Sequence, residues 1–255
     1  MSDVFNRVIP CLLLLDGGLV KTRRFARPRY VGDPINAIRI FNDKYVDELI
    51  FLDISASRTG AEPDYDLVSR IAGECFMPLC YGGGIRRLEQ ARRLVAAGVE
   101  KIAVNSMAID RPALLRELSD EFGASSVVAG IDVVRDWRGR PRVYHPGRRK
   151  ATALAPVDHA RAVVAAGAGE ILLNSVDRDG MRNGFDLALV REVAHAVQVP
   201  VVACGGADGL VDMREAIDAG ASAAAAGSMF VFYGPHQAVL INYPEYGAVH
   251  RLFAE

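Results

Sequence analysis

Two glycine pairs carry the first chemical signal in this sequence. Tyr81-Gly82-Gly83-Gly84-Ile85 follows one apolar run, and Cys204-Gly205-Gly206-Ala207-Asp208 follows another. The next apolar runs end at Asn105-Ser106 and at Gly227-Ser228. Glycine lets backbone come close to a phosphate, and a helix starting just beyond offers free N–H groups and the positive end of its dipole. Two such cradles on opposite sides of one mouth suit a small molecule with a phosphate at each end. The plainer alternative is that these glycines only make tight turns. Asp132 closes the run Val127 to Ile131. A carboxylate in that position is a candidate proton carrier, because its surroundings can shift its pKa. Arg7, Glu48, Lys101 and Glu170 each stand at the start of an apolar run. If alternate strands aim them at a common axis, two acids and two bases can satisfy one another there, in the plainest case as a structural salt-bridge plug.

The elements that must position these groups are short apolar runs alternating with amphipathic stretches. The runs are Val8 to Leu15, Leu49 to Asp53, Met77 to Tyr81, Ile102 to Asn105, Val127 to Asp132, Ile171 to Asn174, Pro200 to Cys204 and Ala223 to Gly227. Near-continuous hydrophobicity of this kind suits parallel strands covered on both faces. Leu88 to Ala97 and Leu210 to Ala219 read as helices stopped by Gly98 and Gly220. Alternation repeated in this way predicts a single α/β domain, a closed (β/α)8 TIM barrel over residues 1–255. Its active site is expected at the C-terminal ends of the strands, with strands three and four building one cradle and seven and eight the other. One gap-free shift pairs Glu48 with Glu170, Pro78 with Pro200, Gly83-Gly84 with Gly205-Gly206, Ala97-Gly98 with Ala219-Gly220, and Ser106-Met107 with Ser228-Met229. This predicts two related half-barrels, about 1–122 and 123–235, followed by a tail.

Composition narrows the function classes. A formal net charge of -1 gives no bulk attraction to nucleic acid or anionic lipid. The basic stretch Arg138 to Lys150 is short, and reads as a solvated loop or a phosphate-facing lid. The four cysteines lack paired spacing, and His145, His159 and His195 show no ligand spacing, so no metal site and no cofactor are expected. The N-terminus has no basic region leading into a long apolar stretch, and no run approaches the ~20 apolar residues that cross a bilayer. The expectation is a cytoplasmic protein that binds neither membrane nor nucleic acid.

The motifs Ile9-Pro10-Cys11-Leu12, Asp16-Gly17, Val20-Lys21, Gly32-Asp33-Pro34, Glu48 to Ile54, Gly82 to Ile85 and Asp177-Arg178-Asp179-Gly180 closely resemble HisF, the cyclase subunit of imidazole glycerol phosphate synthase. The resemblance runs from Arg7 to about Phe232. It implies a lyase subunit of a glutamine amidotransferase complex. A partner glutaminase, HisH-like and seated on the N-terminal barrel face, releases ammonia that travels along the barrel axis. At the far mouth the ammonia meets a bis-phosphorylated ribulosyl-formimino ribonucleotide. Carried over residue by residue, Arg7, Glu48, Lys101 and Glu170 match the ammonia gate, and Glu100 matches an acidic position facing the glutaminase. Asp132 matches the acid/base on strand five, and Lys21 a lysine on the first loop. Asp53, Asp179 and Gly180 match positions near the substrate. Gly83, Gly84, Asn105, Ser106, Gly205, Gly206, Gly227 and Ser228 match the phosphate cradles.

Departures from the pattern are concentrated at the catalytic mouth. The cyclase carries a second aspartate on strand one, where this sequence has Leu13 in Cys11-Leu12-Leu13-Leu14-Leu15. Leucine can neither move a proton nor bond a reacting group. Loss of one partner of an acid/base pair commonly costs about 10²–10⁴ in rate. Met181, Cys204, the segment Tyr144 to Lys150 and the tail Phe232 to Pro244 also differ from the cyclase. That tail, the Cys11-Leu12-Leu13-Leu14 start and Cys75-Phe76-Met77-Pro78-Leu79-Cys80-Tyr81 resemble a paralogous branch linked to acetamidino modification of nucleotide sugars in surface-polysaccharide (lipopolysaccharide, O-antigen-type) synthesis. That resemblance implies ammonia delivery to a separate sugar amidotransferase. The alternatives are a genuine cyclase of histidine biosynthesis working with Asp132 alone, the symmetric sugar isomerase of the same pathway, and a non-catalytic ammonia-conducting scaffold. Leu13 counts against the isomerase, and so do the four gate residues.

Overall fold

The computed structural model describes residues 6–253. Its centre is a ring of parallel strands: β1 (Arg7–Leu15), β2 (Leu49–Asp53), β3 (Leu79–Gly82), β4 (Lys101–Val104), β5 (Val127–Arg135), β6 (Glu170–Ser175), β7 (Val201–Cys204) and β8 (Ala223–Ala226). Each pairs with the next, β8 pairs with β1, and the ring has no free edge. This is the (β/α)8 TIM barrel that the eight apolar runs anticipate. The pleat sorts side chains between two cores. Along β1, Val8, Leu12 and Leu14 join the layer under the helices, and Ile9 and Cys11 point into the barrel. Inside, they meet Ile50, Cys80, Ala103, Val128, Leu172, Val202, Ala223 and Ala225.

The outer layer consists of α1 (Pro34–Asn42), α2 (Tyr65–Glu74), α3 (Leu88–Ala96), α4 (Ala113–Phe122), α5 (Pro156–Ala165), α6 (Leu187–Ala194) and α7 (Leu210–Asp218). Their starts are written locally. Asp33, Asp64 and Asp186 accept from the backbone N–H groups of Asn36, Leu67 and Leu189, and Pro34 and Pro156 occupy first-turn positions. The sequence repeat reappears in backbone angles. Gly98 and Gly220 end α3 and α7 at φ 103° and 106°, and Asn105 and Gly227 share φ near −118° and −114°.

Periodicity did not reveal the additions at the C-terminal rim. Gly18–Arg23 runs back antiparallel on β1 and pairs with Ala26–Gly32. Pro141–His145 runs back on the extended end of β5. An edge-on contact between Phe25 and Tyr144, with centroids 5.7 Å apart, joins the two hairpins. The tail forms a small pairing of Phe232–Tyr233 with Ala238–Val239 and then α8 (Tyr246–Phe253). It is pinned under the barrel wall, where the Tyr243 hydroxyl donates to the Val8 carbonyl at 2.8 Å. Among the described residues no helix is long and apolar enough to cross a membrane.

Candidate active site

The two hairpins and the strand ends enclose a cavity of about 440 Å³ at the C-terminal mouth. The catalytic and phosphate-cradle candidates read from the sequence line it, with Leu13: Lys21, Asp53, Gly83, Gly84, Asn105, Ser106, Asp132, Asp179, Gly180, Gly205, Gly206, Gly227 and Ser228, whereas Met181 does not.

Asp132 sits in the β5 wall, buried, with one amide donor on each oxygen. Asn105 Nδ2 donates to Oδ2 at 2.8 Å and Asn174 Nδ2 to Oδ1 at 3.1 Å. Burial pushes the carboxyl up to about 7, the two amides pull against that rise, and the nearby charge of Asp179 adds to it. A carboxyl that titrates near neutrality can hand over a proton and take one back. Both amides are turned so that their carbonyl oxygens, and the Ser106 hydroxyl as well, lie buried without a partner.

Across the ring, β1 offers Asp132 no acid. Leu13 lines the cavity in register with Leu52 of β2 and Val20 of the first hairpin. Cys11 lies one inward position deeper, in the inner cluster against which Cys204 of β7 packs.

Lys21 is folded inward from the first hairpin rather than held out on a solvated loop. Its Nζ donates to the Cys11 carbonyl at 2.6 Å. Burial pushes its ammonium below the usual lysine value, while Cys11, Asp179 and Cys204 hold it up. The seat exists because position 227 has no side chain, since a Cβ there would lie 1.8 Å from Nζ. Asp179 clamps the hairpin. Its Oδ2 accepts from the Thr22 hydroxyl at 2.7 Å and from the Phe25 N–H at 3.3 Å, and its carbonyl accepts from the Arg24 N–H at 2.9 Å. Burial raises the Asp179 pKa, against the pull of Thr22, Lys21 and Phe25. Asp53 turns Oδ1 onto its own loop, accepting from Ser55 N–H, Ser55 Oγ and Ala56 N–H at 2.8, 2.5 and 3.1 Å.

The glycine pairs follow β3 and β7, and Ser106 and Ser228 start one-turn helices after β4 and β8. Gly206 is required by the fold itself. Its φ is +117°, and a Cβ would stand 2.1 Å from the Gly184 carbonyl oxygen. Several lining residues escaped the sequence reading: Asn174, Thr22, Asp110, Arg86 and Arg182. His145 is buried, with Nε2 3.0 Å from Asp110 Oδ2 and Nδ1 accepting from the Arg148 N–H at 3.1 Å. The Tyr144 to Arg149 end of the basic stretch is therefore part of the cavity wall, with Arg148 bonding Asp110 at 2.5 Å. Among the described residues no group of three or more His, Cys, Asp or Glu side chains is placed to hold a metal ion.

At the opposite end, Arg7, Glu48, Lys101 and Glu170 meet as a closed ring of alternating sign. Arg7 bonds both carboxylates, and Lys101 Nζ reaches Glu48 at 3.0 Å and Glu170 at 2.8 Å. Burial by itself would lower Lys101, and the two carboxylates outweigh it and hold the ammonium above its usual value. Glu100 stands exposed beside this ring. The barrel axis thus runs from a neutral charged ring, through the apolar inner cluster, to a polar mouth.

The strands and this mouth define a (β/α)8 barrel with a cavity lined by ionisable side chains at the strand C-terminal ends. The family model described as histidine biosynthesis protein matches residues 7–236. A provisionally named imidazole glycerol phosphate synthase subunit hisF2 of Pseudomonas aeruginosa is 53% identical, over 95% of this chain and 97% of its own length. A provisionally named HisF subunit of the same synthase from Leptospira interrogans is 48% identical, over 97% and 98%. The subunit hisF3 of Vibrio vulnificus, also provisionally named, is 44% identical over 94% and 93%. The chain belongs to the histidine biosynthesis protein family, as a HisF-type paralogue.

Proposed function

We propose that this chain is the barrel subunit of a glutamine amidotransferase complex. In this reading a HisH-like glutaminase sits on the N-terminal face beside the Arg7–Glu48–Lys101–Glu170 ring, and its ammonia passes through the barrel to the mouth. The delivered nitrogen serves acetamidino modification of a nucleotide sugar in polysaccharide synthesis, through a separate sugar amidotransferase in the cytoplasm. A phosphorylated small molecule anchors between the glycine-rich loops, and Asp132 and Lys21 handle protons. One observation carries the reading. An intact charged ring lies below a mouth in which Leu13, not a carboxylate, stands across the ring from Asp132. An ammonia path is useful without the cyclase acid pair, whereas the cyclase reaction is not.

The test is incubation of the purified chain with the bis-phosphorylated ribulosyl-formimino ribonucleotide and ammonium salts. Imidazole glycerol phosphate should form at no more than background rate, while the complex with glutaminase and sugar amidotransferase should yield the amidino sugar from glutamine. Robust imidazole glycerol phosphate formation would overturn the reading in favour of the second one, a true cyclase and lyase. The observation that favours that second reading is the Asp132 carboxyl, pushed up to about 7. Leu13→Asp should raise cyclase turnover detectably. In the reconstituted complex, Asp132→Asn should slow product formation, and unchanged formation would mark the barrel as a non-catalytic conduit.

A further inference from the structure

We propose that Asn174, acting with Asn105, is a positioning residue that fixes the plane of the Asp132 carboxyl and keeps it able to ionise inside the barrel wall. The proposal rests on the reading of Asp132 as a proton carrier.

Strand register makes the pairing possible. Asn174 of β6 is directly level with Asp132 of β5, and Asn105 closes β4 on the other side. The carboxyl is therefore held from both neighbouring strands, with one N–H donor on each oxygen, at 3.1 and 2.8 Å. Two donors on two oxygens fix the rotation of a planar group, so one set of lone pairs stays directed at the cavity. They also favour the charged form, which burial disfavours.

Both amides line the cavity and commit their NH2 groups to Asp132. Gly205 makes room for this geometry, because a Cβ there would sit 2.5 Å from Asn174 Oδ1.

The test is a direct titration of Asp132 by carbon NMR of protein labelled at aspartate carboxyls, with Asp132→Asn identifying the resonance. In Asn174→Leu the midpoint should move up from its wild-type value, and Asn105→Leu should move it in the same direction. Asn174→Thr, which restores a hydroxyl donor, should bring it back toward wild type. Unmoved midpoints in both leucine variants would overturn the proposal. If one variant does not fold, the other still decides. Failure of the proton-carrier reading appears elsewhere, as normal product formation by Asp132→Asn, and leaves the NMR result standing.

Discussion

Asp132 links chemistry to stability, and the sign of that link can be worked out. Its folded value of about 7 lies above the unfolded value of about 3.9. Between those two values the folded chain binds more protons than the unfolded one, so stability falls as pH rises from about 4 to about 7. The contribution is fully present below about pH 4 and lost above about pH 7. Asp132→Asn removes the titration. It should therefore be more stable than wild type at pH 8 by up to about 4 kcal/mol, less whatever its own amide loses against Asn105 and Asn174. The difference should shrink toward zero at pH 4. Urea midpoints at both pH values measure it, and a pH-independent difference would place the Asp132 pKa elsewhere. This residue was legible in the sequence because an acid at the end of an apolar run is unusual. Asn174 was not. A polar residue at a strand end is ordinary, and its meaning comes only from register with a residue 42 positions away. Lys21 was named from its motif, but its inward seat depends on the missing side chain at Gly227, which chain order does not display.

At the scale of elements, the barrel strands were readable because both faces of each strand are covered, which leaves a continuous apolar signature. The helix stops at Gly98 and Gly220 were readable for a local reason, since the chain needs a positive φ there. The first hairpin was hidden. Ala26 to Tyr30 are all exposed, so they show no alternation, and that strand exists because it pairs with Gly18–Arg23. The loop after β7 lends itself to a test of whether its glycines serve ligand or fold. Gly206→Ala puts a Cβ into the Gly184 carbonyl at a φ of +117°, a backbone collision that no rotamer relieves. Loss of about 3 kcal/mol or more is expected, in the range of strain and overpacking combined. Gly209→Ala, three residues on, meets nothing within 4 Å and has an ordinary φ of −155°, so it should cost only the difference between Gly and Ala at the helix N-cap, about 1 kcal/mol. Equal melting temperatures for the two variants would contradict the packing explanation and leave ligand contact as the reason for Gly206.

The whole molecule is organised along its axis, and the ring at the base shows what that organisation demands. Arg7, Glu48, Lys101 and Glu170 come from four strand starts spread across the chain, and they are neutral only as a set. Glu48 and Glu170 are buried, at 3% and 5% exposure, while Arg7 and Lys101 keep partial access to water. Removing one acid therefore leaves a cation in excess at a half-buried site. Breaking a fully buried pair costs about 3–5 kcal/mol. Here the cations can rehydrate through the open base, so Glu48→Gln should cost about 2 kcal/mol. Glu48→Gln with Lys101→Met restores neutrality and removes both desolvation penalties, so the double variant should recover at least half of that loss. Urea unfolding of the wild type, both single variants and the double variant closes the cycle. If all four agree within about 0.5 kcal/mol, the ring is screened by water, and its four residues are at the base for something other than holding the barrel shut.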